Sequence, residues 1–269
     1  MDGVNKTLYI PLYGKAFVSK KGVILKDKKA EEIWAKEQFE LKGKSKSKWL
    51  AYYMGMRSAV FDEWVKDVLE QERAENNTSP VVLHIGCGMD SRVLRVSCEE
   101  VHWYDVDFPE VIKEREKYYS ETEHYHMLSA DARETDWIKI LPVTKAVVVL
   151  EGISMYFKPE EMQGLLAALG EHFTEVKVLM DCYTQKAAKA SKYKNPINDV
   201  GVTKVYGIDN PCIFEKNTKV KYVREHDMTP EHMIKQLAGL ERWLFKHLFG
   251  GRISKAMYRM YEFQVISEG

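Results

Sequence analysis

Val81-Val82-Leu83-His84-Ile85-Gly86-Cys87-Gly88-Met89-Asp90-Ser91 is the stretch on which the fold turns. Five mostly apolar residues, too few for a helix, run into two glycines. A strand buried on both faces of a parallel sheet reads this way at its carboxyl end. Glycine removes the Cβ and opens positive φ, so a ligand can approach the backbone closely. A dinucleotide fingerprint would place a third glycine three residues after the second, where this chain has Ser91. No Lys-Ser or Lys-Thr pair closes the turn into a phosphate-cradling loop.

The same alternation extends outward from this turn. Upstream, residues 49–75 lack proline and place Leu50, Met54, Val60, Phe61, Val65 and Leu69 at near-helical spacing, predicting a long amphipathic helix. Downstream, a helical stretch from Ser91 leads to a second strand over 101–107, and Pro109 opens a helix through about Tyr119. A third strand is expected over 124–128, a fourth over 145–150, a helix from Pro159 and a fifth strand over 176–181. Residues 185–210, rich in Lys and Gly with a short helical opening, read as an insertion or lid. A sixth strand at 222–223, a helix over 230–249 and a final strand over 256–266 then close the sheet like a hairpin.

Repeated β-then-α order predicts an α/β fold: a doubly wound, mostly parallel seven-stranded sheet with N-terminal helical additions and an insertion after the fifth strand. One domain over 1–269 is expected, with a helical extension at 1–78, a ligand-binding core at 79–183, a lid or substrate-side insertion at 184–210, and C-terminal strands and helix at 211–269.

Charge narrows the choice of partner. Forty Lys and Arg balance forty Asp and Glu among 269 residues, so there is no global field to gather nucleic acid or an anionic membrane. A small, individually recognised substrate is the expectation. Residues 41–48 read as an exposed polar loop rather than a nucleic-acid patch, since their lysines lack interleaved aromatics. Asp2, Asn5, Lys6, Pro11 and Lys15 interrupt the start, unlike the apolar core of a signal peptide. Cys87, Cys98, Cys182 and Cys212 are scattered without metal-binding spacing, so no metal is expected, and reduced thiols in the cytoplasm fit best.

Carboxylates at successive strand ends carry the chemistry. Asp107 ends the second strand about twenty residues past the glycine turn, where a carboxylate can accept both ribose hydroxyls of an adenosine. Asp105 is the competing acid, and Asp107 is preferred for lying nearer the strand's carboxyl end. Asp131, just past the third strand, can accept from an adenine amino group beside the backbone of Ala132, or can serve merely as a turn carboxylate. Glu151 ends the most apolar strand, where an unpartnered acid is costly to bury, so it should face the cleft. His84, His102, His124 and His126 read as structural, and Cys87 as a packed turn residue.

Five ordered motifs add a family resemblance spanning nearly the whole chain. Tyr9-Ile10-Pro11-Leu12-Tyr13-Gly14-Lys15-Ala16, Arg57, Gly86-Cys87-Gly88-Met89-Asp90-Ser91, Asp105-Val106-Asp107-Phe108-Pro109 and Glu151-Gly152-Ile153-Ser154-Met155-Tyr156 together resemble the leucine carboxyl methyltransferase family, nearest its bacterial polyketide O-methyltransferase branch. The resemblance implies a Rossmann-like class I methyltransferase with S-adenosylmethionine as cofactor. It implies that Lys15 and Arg57 hold the methionine carboxylate, Gly86 and Gly88 meet the cofactor along the turn, and Asp107 takes the ribose. Asp131 and Ala132 would meet the adenine edge, and Glu151 the methionine end. Residues 205–209 resemble the family's substrate-side loop, with Tyr206 where tryptophan is common; Tyr156 and Tyr206 are the candidates nearest the acceptor.

Methyl transfer from a sulfonium is an in-line displacement that needs alignment and exclusion of water more than proton transfer. The expected acceptor is a carboxylate or phenolic oxygen of a small molecule, such as a polyketide-like metabolite. The alternatives are the carboxyl terminus of a protein, or a nucleotide-binding oxidoreductase, which the missing third glycine disfavours.

Overall fold

The computed structural model describes residues 8–37, 41, 43–76, 80–96, 100–191, 204–216 and 218–266. One sheet contains β1 (Val81–Ile85), β2 (Trp103–Asp107), β3 (Tyr125–Ser129), β4 (Lys145–Leu150), β5 (Glu175–Tyr183), β6 (Val220–His226) and β7 (Tyr258–Ile266). Their spatial order is β3-β2-β1-β4-β5-β7-β6. β1 to β5 are parallel, and β7 lies antiparallel to both β5 and β6. The chain starts mid-sheet at β1, steps out to β3, then returns to β4 on the other side. That reversal opens a crevice at the carboxyl ends of β1 and β4, the place where α/β sheets bind ligands.

Helices follow the strands as α4 (Arg92–Arg95), α5 (Pro109–Arg115), α6 (Pro159–His172), α7 (Gln185–Ala190), α8 (Glu231–Ile234), α9 (Gly239–Leu248) and α10 (Gly251–Lys255), after an N-terminal set α1 (Tyr9–Lys21), α2 (Lys28–Glu37) and α3 (Lys48–Asn76). β1 shows how the layers divide: Val82 packs into the core shared with α1 and α3, while Leu83 and Ile85 pack into the core shared with α6. Alternating side chains therefore feed a core on each face of the sheet. α1 and α3 approach closely at two glycines. A Cβ on Gly14 would lie 2.7 Å from Met54 Cβ, and one on Gly55 would lie 2.8 Å from Val18 Cγ2. No helix among the described residues is long and apolar enough to cross a membrane.

Several expected elements take a different form. α3 has the expected length but is not amphipathic along its first half: residues 51–62 are buried on every side. Its polar members there, Arg57, Ser58 and Asp62, are paired inside the protein, so hydrophobic spacing understates its burial. The helix expected over 230–249 is two, because Gly239 sits at φ +47° and restarts the chain as α9. Helix α4 is a single turn, and α5 ends at Arg115 rather than near Tyr119. The sixth strand is longer than expected, with a register shift between Tyr222 and Arg224. Gly43–Lys46 forms a 3-10 turn with Ser45 buried, in place of a fully exposed loop. The lid expected at 184–210 is described only at its ends, with residues 192–203 outside the described set.

Candidate active site

A cleft of about 550 Å³ opens above the carboxyl ends of β1, β2 and β4. Gly86 and Gly88 form its floor at φ +72° and +52°, a region where a Cβ is disfavoured. A Cβ on Gly86 would in addition lie 2.2 Å from Ile153 Cγ2. The neighbouring strand supplies Asp107, whose Oδ2 accepts the Gly88 N–H at 2.8 Å while Oδ1 accepts the Phe108 N–H at 2.8 Å. A carboxylate has roughly four acceptor positions, so one on each oxygen remains for a vicinal diol. Burial raises the Asp107 pKa to about 6, against the lowering effect of those two N–H groups.

Asp105, the competitor, is fully buried and fully engaged. It pairs with Arg115 and accepts from Tyr125 Oη at 2.7 Å and Trp103 Nε1 at 2.9 Å. Arg115 Nη1 in turn donates to Gly88 O at 3.0 Å, bracing the glycine turn from the core side.

A buried ion network surrounds the other end of the cleft. Lys15 Nζ donates to Asp90 Oδ2 at 2.8 Å, and Arg57 Nε donates to Glu151 Oε1 at 3.0 Å. Arg92 reaches Glu151 Oε2 and, at 2.7 Å, Asp62 Oδ1. Arg95 spans Asp62, Asp27 and Asp90. Burial would raise the Glu151 pKa, yet Arg57 and Arg92 hold it down at about 2. His84 lies between Arg92 Nη1 at 3.2 Å and Asp105 at 3.4 Å, and burial first of all lowers its pKa. Its ring is held inside this network, at the edge of the cleft.

Lys15, Arg57, Gly86, Gly88, Asp107, Asp131, Ala132, Glu151 and Tyr156 all line this one cleft. Tyr206 does not. Its backbone N–H donates to Met155 O at 2.8 Å, and Lys204 Nζ lies 5.3 Å from its ring centroid, so its segment supports the rim through Met155 and Lys204. Asp131 is tied to Arg133, whose Nε lies 2.9 Å from Oδ1 and whose Nη2 lies 2.5 Å from Oδ2; a ligand's amino group there would share the carboxylate with that arginine. Sequence reasoning missed Asp181, Arg92, Arg95, Arg115 and Tyr258. Asp181 alone had a visible signal, an acid closing the apolar run Val178-Leu179-Met180.

This strand order, with a glycine turn and an acid after β2 at the switch point, defines a Rossmann-like class I methyltransferase. The chain matches the model of the leucine carboxyl methyltransferase family over residues 5–170 and belongs to that family. It is 26% identical over 248 residues to the tetracenomycin polyketide synthesis O-methyltransferase of Streptomyces glaucescens, covering 91% of this chain and 90% of that protein. It is 27% identical over 177 residues to an S-adenosyl-L-methionine-dependent methyltransferase of Gibberella zeae, covering 60% of this chain and 59% of that one. In fold it is similar to the plantazolicin methyltransferase BamL, solved with S-adenosylhomocysteine, with a TM-score of 0.51, 8% identity and 98% of each chain covered. The protein is an S-adenosylmethionine-dependent methyltransferase, and the oxidoreductase reading falls away.

Proposed function

We propose that this enzyme is an O-methyltransferase acting on a carboxylate of a small molecule. The supporting observation is that the acids and the histidine at the ion-network end of the cleft are all engaged. Asp90 is paired with Lys15 and Arg95, Glu151 with Arg57 and Arg92, and His84 is buried between charged partners. Beyond them the lining is Met155, Tyr156, Tyr183, Lys204 and Tyr258. Burial drives the Tyr258 pKa well above its ordinary value, so its hydroxyl stays protonated. None of these groups is set to remove a proton near neutral pH. A phenol, with pKa about 10, would need such a base, whereas a carboxylate arrives ionised. Lys204 adds an exposed positive charge at the rim, suited to drawing in an acid. The relative named for tetracenomycin polyketide synthesis supports a small acceptor of that general kind.

Bound S-adenosylmethionine supplies an electrophilic methyl group on a sulfonium. The chain's own residues bind and aim. Arg57 commits Nε and Nη1 to Glu151 and Asp181, leaving Nη2 without a hydrogen-bond partner among the described residues; with Lys15, which also lines the cleft, it is the cation offered to a methionine carboxylate. Asp107 takes the ribose hydroxyls on its two remaining acceptor positions, Gly86 and Gly88 keep the turn clear, and Asp131 with Ala132 borders the adenine. Glu151 holds Arg57 in place at the methionine end. Leu8, Ile10 and Leu12 add apolar lining, which disfavours water beside a reacting methyl group.

The deciding experiment is transfer of labelled methyl to matched aromatic acids and phenols, alongside a cell lysate. Base-labile methyl ester on the small acids is the expected product. Base-stable ether on the phenols, or label entering only protein, would overturn the reading.

A further inference from the structure

Ten large apolar residues among those described stand in solvent, and five of them, Leu240, Trp243, Leu248, Ile253 and Met257, fall within residues 240–257. Helix α9 buries Phe245 and leads to Phe249, which stacks on Trp49 with ring centroids 5.3 Å apart. Leu240, Trp243 and Leu248 are instead 70%, 57% and 53% exposed, and Ile253 on α10 is exposed as well. Leu240 and Trp243 are i,i+3 neighbours and Leu248 lies two turns beyond Leu240, and exposed apolar residues gathered on one short segment mark an interaction surface.

The charges around this surface have one dominant sign. Residues 239–257 include Arg242, Lys246, Arg252 and Lys255 against the single acid Glu241. That acid turns inward to Lys21, Lys48 and Tyr52. Lys246 is partly neutralised by Glu231 at 2.8 Å and Lys255 by Glu225 at 4.0 Å, while Arg242 and Arg252 have no ion pair among the described residues. The chain as a whole has no net charge, so the positive face is local and composition gives no sign of it.

We propose that α9 and α10 form an interfacial docking face for an anionic phospholipid surface. Exposed Leu and Trp flanked by Arg and Lys are the chemistry of a helix that lies in the headgroup region, with its apolar side in the acyl boundary and its cations on lipid phosphates. A second copy of the chain fits poorly, because a two-fold contact would set cation against cation. Met257 is the chain neighbour of Tyr258, which lines the cleft.

Sedimentation of the full chain with vesicles tests this. Binding is expected to vesicles of phosphatidylcholine mixed with phosphatidylglycerol, not to phosphatidylcholine alone, and to weaken at high salt. Leu240→Glu combined with Trp243→Glu should lower partitioning about tenfold or more, and Arg242→Glu with Arg252→Glu should abolish the preference for anionic lipid. Each pair is exposed, so an unchanged Tm and unchanged S-adenosylhomocysteine affinity will show that the fold is intact. No binding to anionic vesicles, or binding untouched by the apolar pair, would overturn the proposal. So would a concentration-dependent dimer, or a complex with an acidic protein, that the same pair abolishes while vesicles fail to bind.

Discussion

Arg57 Nη1 donates to Asp181 Oδ2 at 3.0 Å, while Asp181 Oδ1 accepts the Gly152 N–H at 2.5 Å. One buried carboxylate thus fixes both the guanidinium on α3 and the turn that follows β4. A Cβ on Gly152, which sits at φ +74°, would lie 3.1 Å from Arg57 Nη2, so turn and guanidinium are packed against each other.

Removing Asp181 should loosen both at once. Asp181→Ala leaves Arg57 with Glu151 as its one carboxylate partner and the Gly152 N–H without its acceptor, and losing buried hydrogen bonds to a charged group costs about 1.5–3 kcal/mol each. Asp181→Asn retains an acceptor and should cost about half as much. Both should weaken S-adenosylhomocysteine binding, the alanine variant more, because Arg57 loses the bond that aims it. Urea unfolding and calorimetry measure the two effects. Unchanged cofactor affinity in both variants would remove Asp181 from the site's support.

Asp107 should show its dual role through pH. Burial raises its pKa to about 6, so the folded protein holds that proton more tightly than the unfolded chain does. The associated stability is fully present below the unfolded value near 3.8 and is lost as pH rises through about 6. Ionised Asp107 consequently weighs against folding at neutral pH by up to about 3 kcal/mol. Asp107→Asn is neutral at every pH and escapes that burial penalty, so it should come closest to the parent below pH 4 and gain on it by up to about 3 kcal/mol above pH 7. Ribose hydroxyls donate best to the ionised form, so parent affinity for S-adenosylhomocysteine should rise with pH to about 6 and then level off. The asparagine variant should bind more weakly and lack that rise. Parallel pH profiles for the two proteins would contradict this account.

Gly86→Ala separates conformational strain from steric conflict. Gly22 has nearly the same φ, +71° against +72°, but a Cβ on Gly22 meets nothing within 4 Å. Gly22→Ala should cost only the left-handed penalty of about 1–2 kcal/mol. Gly86→Ala adds the 2.2 Å contact with Ile153 Cγ2, so it should cost clearly more and disturb the cleft floor. Equal losses in the two variants would show that Ile153 yields freely.

What the sequence disclosed follows from how local each signal was. The glycine turn, Asp107 and Glu151 sit at strand ends, where apolar periodicity stops and a glycine or an acid stands out against its neighbours, and all of them line the one cleft. Asp181 lies two residues inside the end of β5 but likewise closes an apolar run, Val178-Leu179-Met180, and was legible by that signal. Arg92 and Asp62 were not, because their pairing joins residues thirty apart on different helices, and in sequence each looks like surface charge. The buried first half of α3 was hidden for the same reason: its polar residues find partners only once the sheet, α1 and α4 surround it. Tyr206 was placed by resemblance alone, and it meets the cleft wall only indirectly, its backbone N–H on Met155 and its ring beneath Lys204.

Arg115 offers the sharpest test of support from behind the cleft. It is fully buried with Asp105, its Nε donates to Tyr125 Oη at 3.0 Å, and its Nη1 holds Gly88 O at 3.0 Å. Arg115→Leu strands the Asp105 carboxylate and should cost about 3–5 kcal/mol. Asp105→Asn alone strands the guanidinium and should cost a similar amount. With both changes no unpaired buried charge remains, so the double variant should be more stable than the sum of the single losses implies, with a coupling of about 1–3 kcal/mol. Its turn would nevertheless lack the bond to Gly88 O, so cofactor affinity should stay reduced while stability recovers. If affinity recovered together with stability, the Arg115 contact with Gly88 would have no part in shaping the cofactor turn.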